Sequence, residues 1–171
     1  MDSEALRSLQ APLKARYREE PAAAVVTLRA QGEVGGGGLS CRVETGGALV
    51  EAGLHPVTGG DGTLACSGDM LLEALVACAG VTLAAVATAL GIRIERGTVS
   101  AQAEFDARGT LGVDREAPVG LRDICLGFDL VSDASPEQQD SLLKLTERYC
   151  VVLQTLKSSP AVTTNLRVTP P

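Results

Sequence analysis

The chain has 171 residues, the size of one domain, and 45% hydrophobic with 21% charged residues excludes a disordered chain. Net charge is −6 with no cluster of Lys and Arg, so the electrostatic footprint of a nucleic-acid binder is missing and no nucleic-acid partner is expected. Tyr17, Phe105, Phe128 and Tyr149 are its only aromatics, so the core has to be built from Ala, Val and Leu, and such a protomer is expected to bury surface against a second copy.

Met1 to Pro21 is charged and amphipathic, without the basic and then apolar stretches of a secretory signal. Residues 4–18 predict a surface helix interrupted near Pro12. Residues 1–22 are therefore expected as a helical extension and 23–171 as the main domain. Ala24 to Leu28 reads as a strand. Gly35–Gly38 reads as a hairpin loop; no Lys-Ser/Thr follows it and no GxGxxG opens a helix, which excludes a phosphate loop. Leu39, Cys41 and Val43 alternate with Ser40, Arg42 and Glu44, the pattern of a half-buried strand. Ala48 to Ala52 pairs back on it through Gly46-Gly47, and His55 to Gly62 is a turn-rich loop.

A central helix is expected from about Asp69 to Leu90, capped by Ser67 or Asp69 and stopped by Gly91. It is apolar nearly all round, which predicts a spine buried on every side. Ala74 to Leu90 is uncharged but weakly apolar and marginal in length, so the reading is a core helix and not a membrane span. Thr98 to Ala107 is a strand with Val99, Ala101, Ala103, Phe105 and Ala107 on one face. Residues 108–120 form an irregular connector. Leu121 to Val131 is a second strand, with Ile124, Leu126, Phe128 and Leu130 toward the core and Cys125 on the opposite face. Ser135-Pro136-Glu137-Gln138 is a helix start: Ser as N-cap, Pro at N1, Gln completing a capping box. Leu142, Leu145 and Tyr149 form its apolar stripe, with Thr146 and Cys150 beside it. Val151 to Lys157 continues as a short helix ended by Pro160, and Ala161 to Val168 reads as a final strand. This order defines an α+β fold, antiparallel sheet around a long buried helix.

Cysteines stand at 41, 66, 78, 125 and 150, with no CxxC pair and a single histidine, so neither a metal site nor a cofactor is expected. An odd count without a signal peptide argues for free thiols in a reducing, cytoplasmic compartment. Most buried free cysteines are small hydrophobes. Cys41 and Cys125 read as strand filler, and His55 before Pro56 reads as a turn residue.

Two stretches carry more. Gly59-Gly60-Asp61-Gly62 followed by Asp69-Met-Leu-Leu-Glu-Ala-Leu-Val-Ala-Cys78-Ala-Gly-Val-Thr-Leu83 resembles the signature of the OsmC/Ohr family of osmotically inducible and organic hydroperoxide resistance proteins. Glu147-Arg148-Tyr149-Cys150-Val-Val-Leu-Gln-Thr-Leu156 resembles the segment around that family's second cysteine. The resemblance covers residues from about 25 to 168. It implies an intertwined homodimer with two active sites at the subunit interface. It implies a peroxidase for organic hydroperoxides, restored by a dithiol reductant, often a lipoylated protein. The two catalytic cysteines it implies are Cys78 and Cys150. Two positions depart from the pattern: Gly68 stands where the family often has Glu, with Asp69 one step later, and Val151 follows the second cysteine where Pro is usual.

The chemistry asks for a thiolate. A free cysteine titrates near about 8.5, so the attacking thiol needs a nearby cation or hydrogen-bond donors. Arg42 is the best candidate for the cation, with Arg29 next, and Asp69 or Glu73 for the carboxylate partner of a buried Arg. At about 100° per residue neither carboxylate shares the helix face of Cys78. Attack yields a sulfenic acid on Cys78, which Cys150 traps as a disulfide that thiol exchange then clears. A helix C-terminus at Cys150 raises its thiol and suits it to resolving; Cys66 is an alternative resolver. The competing readings are a binding module for an apolar ligand and a redox sensor, both with little turnover.

Overall fold

The computed structural model describes residues 1–34 and 39–168. The loop expected at Gly35–Gly38 lies outside the described residues. The order is α1 (Ser3–Glu19), a 3-10 turn (Pro21–Ala24), β1 (Gly32–Val34), β2 (Ser40–Thr45), β3 (Ala48–Gly53), a 3-10 turn (Pro56–Thr58), β4 (Ala65–Cys66), α2 (Ser67–Leu90), β5 (Ile94–Glu104), α3 (Ala107–Thr110), β6 (Arg122–Ser132), α4 (Pro136–Tyr149) and α5 (Val151–Lys157).

Two sheets flank the central helix sequence. β1 to β4 form one sheet in chain order. β2 and β3 are antiparallel, with Thr45 opposite Ala48, and the two-residue turn between them uses the positive φ of Gly46 and Gly47. β4 joins parallel to β3 and hands the chain directly to α2. The glycine-rich loop on the way is needed for sterics: a Cβ on Gly60 would fall onto the Leu54 carbonyl, and Gly59 and Gly62 have φ of +97° and +79°. The second sheet is the long antiparallel pair β5–β6, with Val99 opposite Phe128 and Ala101 opposite Leu126.

The core follows one face of α2. Leu75, Ala79, Leu83, Val86 and Ala87 recur at helical spacing and are buried. The C-terminal half packs Leu83, Val86 and Ala87 with Ile92 and Leu142. The N-terminal half packs Leu75 and Ala79 with Cys150, and Val99, Ala101, Leu126 and Phe128 close over them. Each fully buried leucine contributes about 1.5–3 kcal/mol. At α4, Ser135 and Gln138 form the expected capping box behind Pro136. Gly91 ends α2 in the left-handed conformation.

Several elements differ from the sequence-based expectation. α1 runs unbroken through Pro12. Proline there removes the donor to the Ser8 carbonyl on an exposed helix, where water can replace it. α2 begins at Ser67 with Cys66 as N-cap, and neither Ser67 nor Asp69 caps it. β5 ends at Glu104 because Asp106 caps α3 instead, accepting from the Arg108 N–H at 3.1 Å and pairing with its guanidinium at 2.6 Å. Ala107 thus starts a helical turn and leaves the strand. Tyr149 is exposed, with the Arg148 guanidinium 5.5 Å above its ring, and the inward stripe of α4 is Leu142, Leu145, Thr146 and Cys150.

The largest differences are at the surface. Residues 24–28 and 161–168 form no strand; Val25, Val26 and Leu28 are 80, 74 and 86% exposed, and Val162, Leu166 and Val168 are equally open. A strand exists only as a member of a pair, and among the described residues these segments pair with none of the open edges of the two sheets. α2 is long and apolar enough to cross a membrane by length and composition, yet it is the element on which β5, β6, α4 and α5 pack. It is not buried all round: Leu71, Ala74, Ala77, Val81 and Ala84 form an exposed stripe opposite the packed face.

Candidate active site

Cys78 sits near the middle of α2, and α4 brings Cys150 to it. Leu142 packs against the C-terminal half of α2 and Cys150 against the N-terminal half, so the two helices run in opposite directions. Cys150 is fully buried between Leu75 and Ala79, and Cys78 is half-buried in the same cluster with Val152, Leu153 and Leu156. Of the small residues beside Cys78, Ala79 faces this cluster, Ala77 is exposed, and a Cβ on Gly80 would meet Val99 of β5 at 3.7 Å.

Cys150 forms the corner between two helices. Its N–H donates to the Thr146 carbonyl at 3.0 Å, closing α4, and its carbonyl accepts from the Gln154 N–H at 2.9 Å, opening α5. The corner is fastened from outside. The Gln154 side chain donates to the Glu147 carbonyl at 2.8 Å, and Lys157 reaches the Glu147 carboxylate at 3.1 Å. This aims the first amides of α5 at Cys78.

The two thiols are pushed in opposite directions. Burial, the largest single influence, raises the Cys78 thiol, but the Val152 N–H, the Cys150 thiol and the Val151 N–H together bring it below its ordinary value. Burial also raises Cys150. The Leu153 and Val152 amides offset this in part, while neighbouring Cys78 adds to it, and the thiol stays high. Of the two thiols, Cys78 is therefore the more readily ionised and Cys150 the one that holds its proton. The high Cys150 thiol was expected from a helix C-terminus; burial and the neighbouring sulfur lead instead, because α5 begins where α4 ends.

The expected supporting residues are elsewhere in the chain. Arg42 is exposed on β2, with Glu33 and Glu51 as its cross-strand neighbours. Asp69 is in the first turn of α2, about 13 Å up the helix axis from Cys78. Arg29 and Glu73 are exposed. No arginine is among the leading influences on Cys78. Sequence reasoning missed the donors that are, the backbone amides of Val151 and Val152; Thr82, one turn on, gives its single hydroxyl proton to the Cys78 carbonyl at 2.8 Å.

Cys66 is apart from this cluster. It lines a cavity of about 580 Å³ with Leu54, Leu71, Phe105 and Leu121, along with Asp69 and His55. His55 holds its own turn, accepting from the Val57 N–H at 3.1 Å, and meets Phe105 edge-on. Cys41 is half-buried in β2 and Cys125 exposed on β6. Among the described residues no three His, Cys, Asp or Glu side chains converge as metal ligands would.

Two cysteines brought into one cluster where α4 and α5 meet a long helix under the β5–β6 sheet define a class, and comparison with known proteins names it. The family model for OsmC-like protein matches residues 60–165, so this chain belongs to the OsmC-like family. Among solved structures it is similar to an OsmC-like protein from Mycoplasma pneumoniae, at 18% identity over 78% of this chain and 89% of that one, with a TM-score of 0.64. It is also similar to an organic hydroperoxide resistance protein OsmC from Legionella pneumophila, at 16% identity over 79% and 92%, with a TM-score of 0.55. A third, an organic hydroperoxide resistance protein from Elizabethkingia anophelis, is 15% identical over 80% and 91%, with a TM-score of 0.55. No curated protein matches the chain significantly. These likenesses establish the α+β fold, and some of the neighbours bear names in organic hydroperoxide resistance.

Proposed function

We propose that this protein is a cysteine-based peroxidase that reduces organic hydroperoxides, with Cys78 attacking and Cys150 resolving. The observation that carries the reading is one buried cluster holding two thiols whose proton affinities are shifted in opposite directions. The Cys78 thiolate attacks the O–O bond. The distal oxygen is kept as a sulfenic acid on Cys78, and the alcohol leaves. The Cys150 thiol then attacks that sulfur, expelling water and forming a disulfide. An external dithiol, such as a lipoylated protein, restores both thiols by exchange.

In this reading residues 23–171 are the OsmC-like domain and 1–22 an extension, and the protein works in the cytoplasm without a membrane or nucleic-acid partner. Arg42 and Asp69 act as the cation and its carboxylate, reaching the thiol of a second chain and not their own. The assembly is a homodimer. The exposed surface of one chain, 12996 Å², supports this: a compact monomer of its mass exposes about 7,900 Å². The open stripe of α2 and the unpaired segments around Val25 and Val162 are the surfaces a second copy would cover. Light scattering at low micromolar concentration should give twice 17.6 kDa; a stable monomer there contradicts the assembly.

The test of function is turnover with dihydrolipoamide, comparing cumene hydroperoxide with hydrogen peroxide. An alkyl substrate gains about 0.8 kcal/mol per buried CH₂ against a site of Ala, Val and Leu. The organic peroxide should therefore have the higher kcat/KM by at least tenfold, on the order of two methylenes' worth of burial. Equal rates would remove the substrate assignment. One observation favours a second reading, an apolar-ligand-binding or redox-sensing module with little turnover: the cavity of about 580 Å³, lined by Leu54, Leu71, Phe105 and Leu121, is of ligand size. Negligible turnover with either peroxide would favour that reading.

A further inference from the structure

Thr146 lies on α4 one turn before Cys150 and is fully buried. Its hydroxyl has no hydrogen-bond partner among the described residues. Such a group is costly, and a helix offers threonine a ready remedy in the carbonyl four residues back. Thr82, Thr88 and Thr155 each take it, donating to Cys78, Ala84 and Val151 at 2.8, 2.8 and 2.9 Å. Thr146 does not.

Its position suggests why. Leu142 packs on the turn of α2 from Leu83 to Ala87, and Cys150 on the turn from Leu75 to Ala79. Thr146 stands midway, level with residues 79–83. It also shares its helix face with Cys150, four residues on, the spacing at which side chains are neighbours. A hydroxyl kept free beside a buried sulfur is placed for a state in which that sulfur needs a donor.

We propose that the Thr146 hydroxyl donates a hydrogen bond to the Cys150 sulfur when it leaves as a thiolate during reduction of a Cys78–Cys150 disulfide. The inference rests on reading the two cysteines as a redox pair. The thiolate of an external dithiol attacks the sulfur of Cys78, since Cys150 is fully buried and Cys78 only half so. A mixed disulfide forms on Cys78, the Cys78–Cys150 bond breaks, and its electron pair goes to the Cys150 sulfur. The reductant's second thiol then displaces Cys78. The reductant leaves as its own disulfide, and its two protons end on the two protein thiols. A better-stabilised leaving thiolate departs faster. The Cys150 anion forms out of reach of bulk water, and the Leu153 and Val152 amides already point at it. Threonine has two staggered positions open to it in a helix, so its hydroxyl can turn to the sulfur without moving the backbone. When Cys150 is a neutral thiol, as here, it makes no such demand.

The test uses the full-length protein oxidised with diamide, the 78–150 bridge being verified by peptide mapping, so that it does not depend on peroxide chemistry. Reduction by dithiothreitol is followed by stopped flow for wild type, Thr146→Val and Thr146→Ser, and peroxide oxidation of Cys78 is measured in each. Thr146→Val should slow reduction by about tenfold, the usual worth of a hydrogen bond to a charged group. Thr146→Ser should restore it, and oxidation of Cys78 should be unchanged in both. Thr146→Val should melt no lower than wild type, since it deletes an unsatisfied hydroxyl. If the bridge forms and Thr146→Val is reduced at the wild-type rate, or both half-reactions slow together, this inference falls alone. If diamide yields no 78–150 bridge, the redox-pair reading falls and takes the inference with it.

Discussion

Cys150→Ser should abolish repeated turnover while leaving the first oxidation of Cys78 close to the wild-type rate. The donors that lower the Cys78 thiol are mostly backbone amides of α5, and these survive the substitution. Only the Cys150 thiol is lost from that set, and a serine hydroxyl is a donor in its place. The substitution is also structurally mild: Cys150 is the N-cap of α5, a position where serine is among the preferred residues. What disappears is the second sulfur. Without it the sulfenic acid on Cys78 has no partner within the cluster and climbs to sulfinic acid as more peroxide arrives. Steady-state turnover with dihydrolipoamide should fall on the order of a hundredfold or more, as when one member of a group that acts as a unit is removed. Mass spectrometry should find Cys78 two oxygens heavier. Sustained turnover in Cys150→Ser would show that resolution comes from elsewhere, with Cys66 the first alternative.

Val151→Pro should raise the Cys78 thiol by about one pH unit, the lower end of what a hydrogen bond to a charged group is worth. Val151 opens α5, where its N–H has no partner within the helix and helps to lower the Cys78 thiol. Proline is favoured at that first helical position, so the helix should persist. The residue before a proline must be extended, and Cys150 already is, at φ −72° and ψ 106°. The Val151 side chain is largely exposed, so its loss costs little packing. One donor is therefore removed with the geometry kept. A higher Cys78 value lowers the thiolate fraction, so alkylation by iodoacetamide at pH 7 should slow and its pH midpoint should move up. Val151→Ala keeps the N–H and should behave as wild type. An unmoved midpoint in Val151→Pro would mean this amide contributes nothing to the thiolate.

The pair of cysteines was legible in the sequence because its motifs fall on strongly patterned elements. Ala74 to Leu90 has no charge and a clear stop at Gly91, and Ser135 to Gln138 carries a full capping box; both helices formed, α4 with the cap as read and α2 starting two residues earlier without one. The alternation of β5 and β6 likewise placed Val99, Ala101, Leu126 and Phe128 on the core. The segments around Val25 and Leu166 were misread for a physical reason: their composition suits a strand, but a strand is a property of a pair, and composition does not say whether a segment finds a partner. The spine helix was over-read in the same way, since an all-round apolar helix says that every face will be covered without saying by which chain. At the site, attention to side chains led to Arg42, while the leading donors to Cys78 are amides. Backbone groups carry no residue-type signal. The one trace they left was Val151, a residue with an N–H in a position where the family usually has proline.

The central claim is that Cys78 and Cys150 are chemically one unit, and peptide mapping of the wild-type protein tests it most directly. After one equivalent of cumene hydroperoxide, a peptide linking Cys78 to Cys150 should dominate, and dithiothreitol should return both to free thiols. A dominant bridge between Cys66 and Cys78, or five free thiols beside an unconsumed peroxide, would contradict the account.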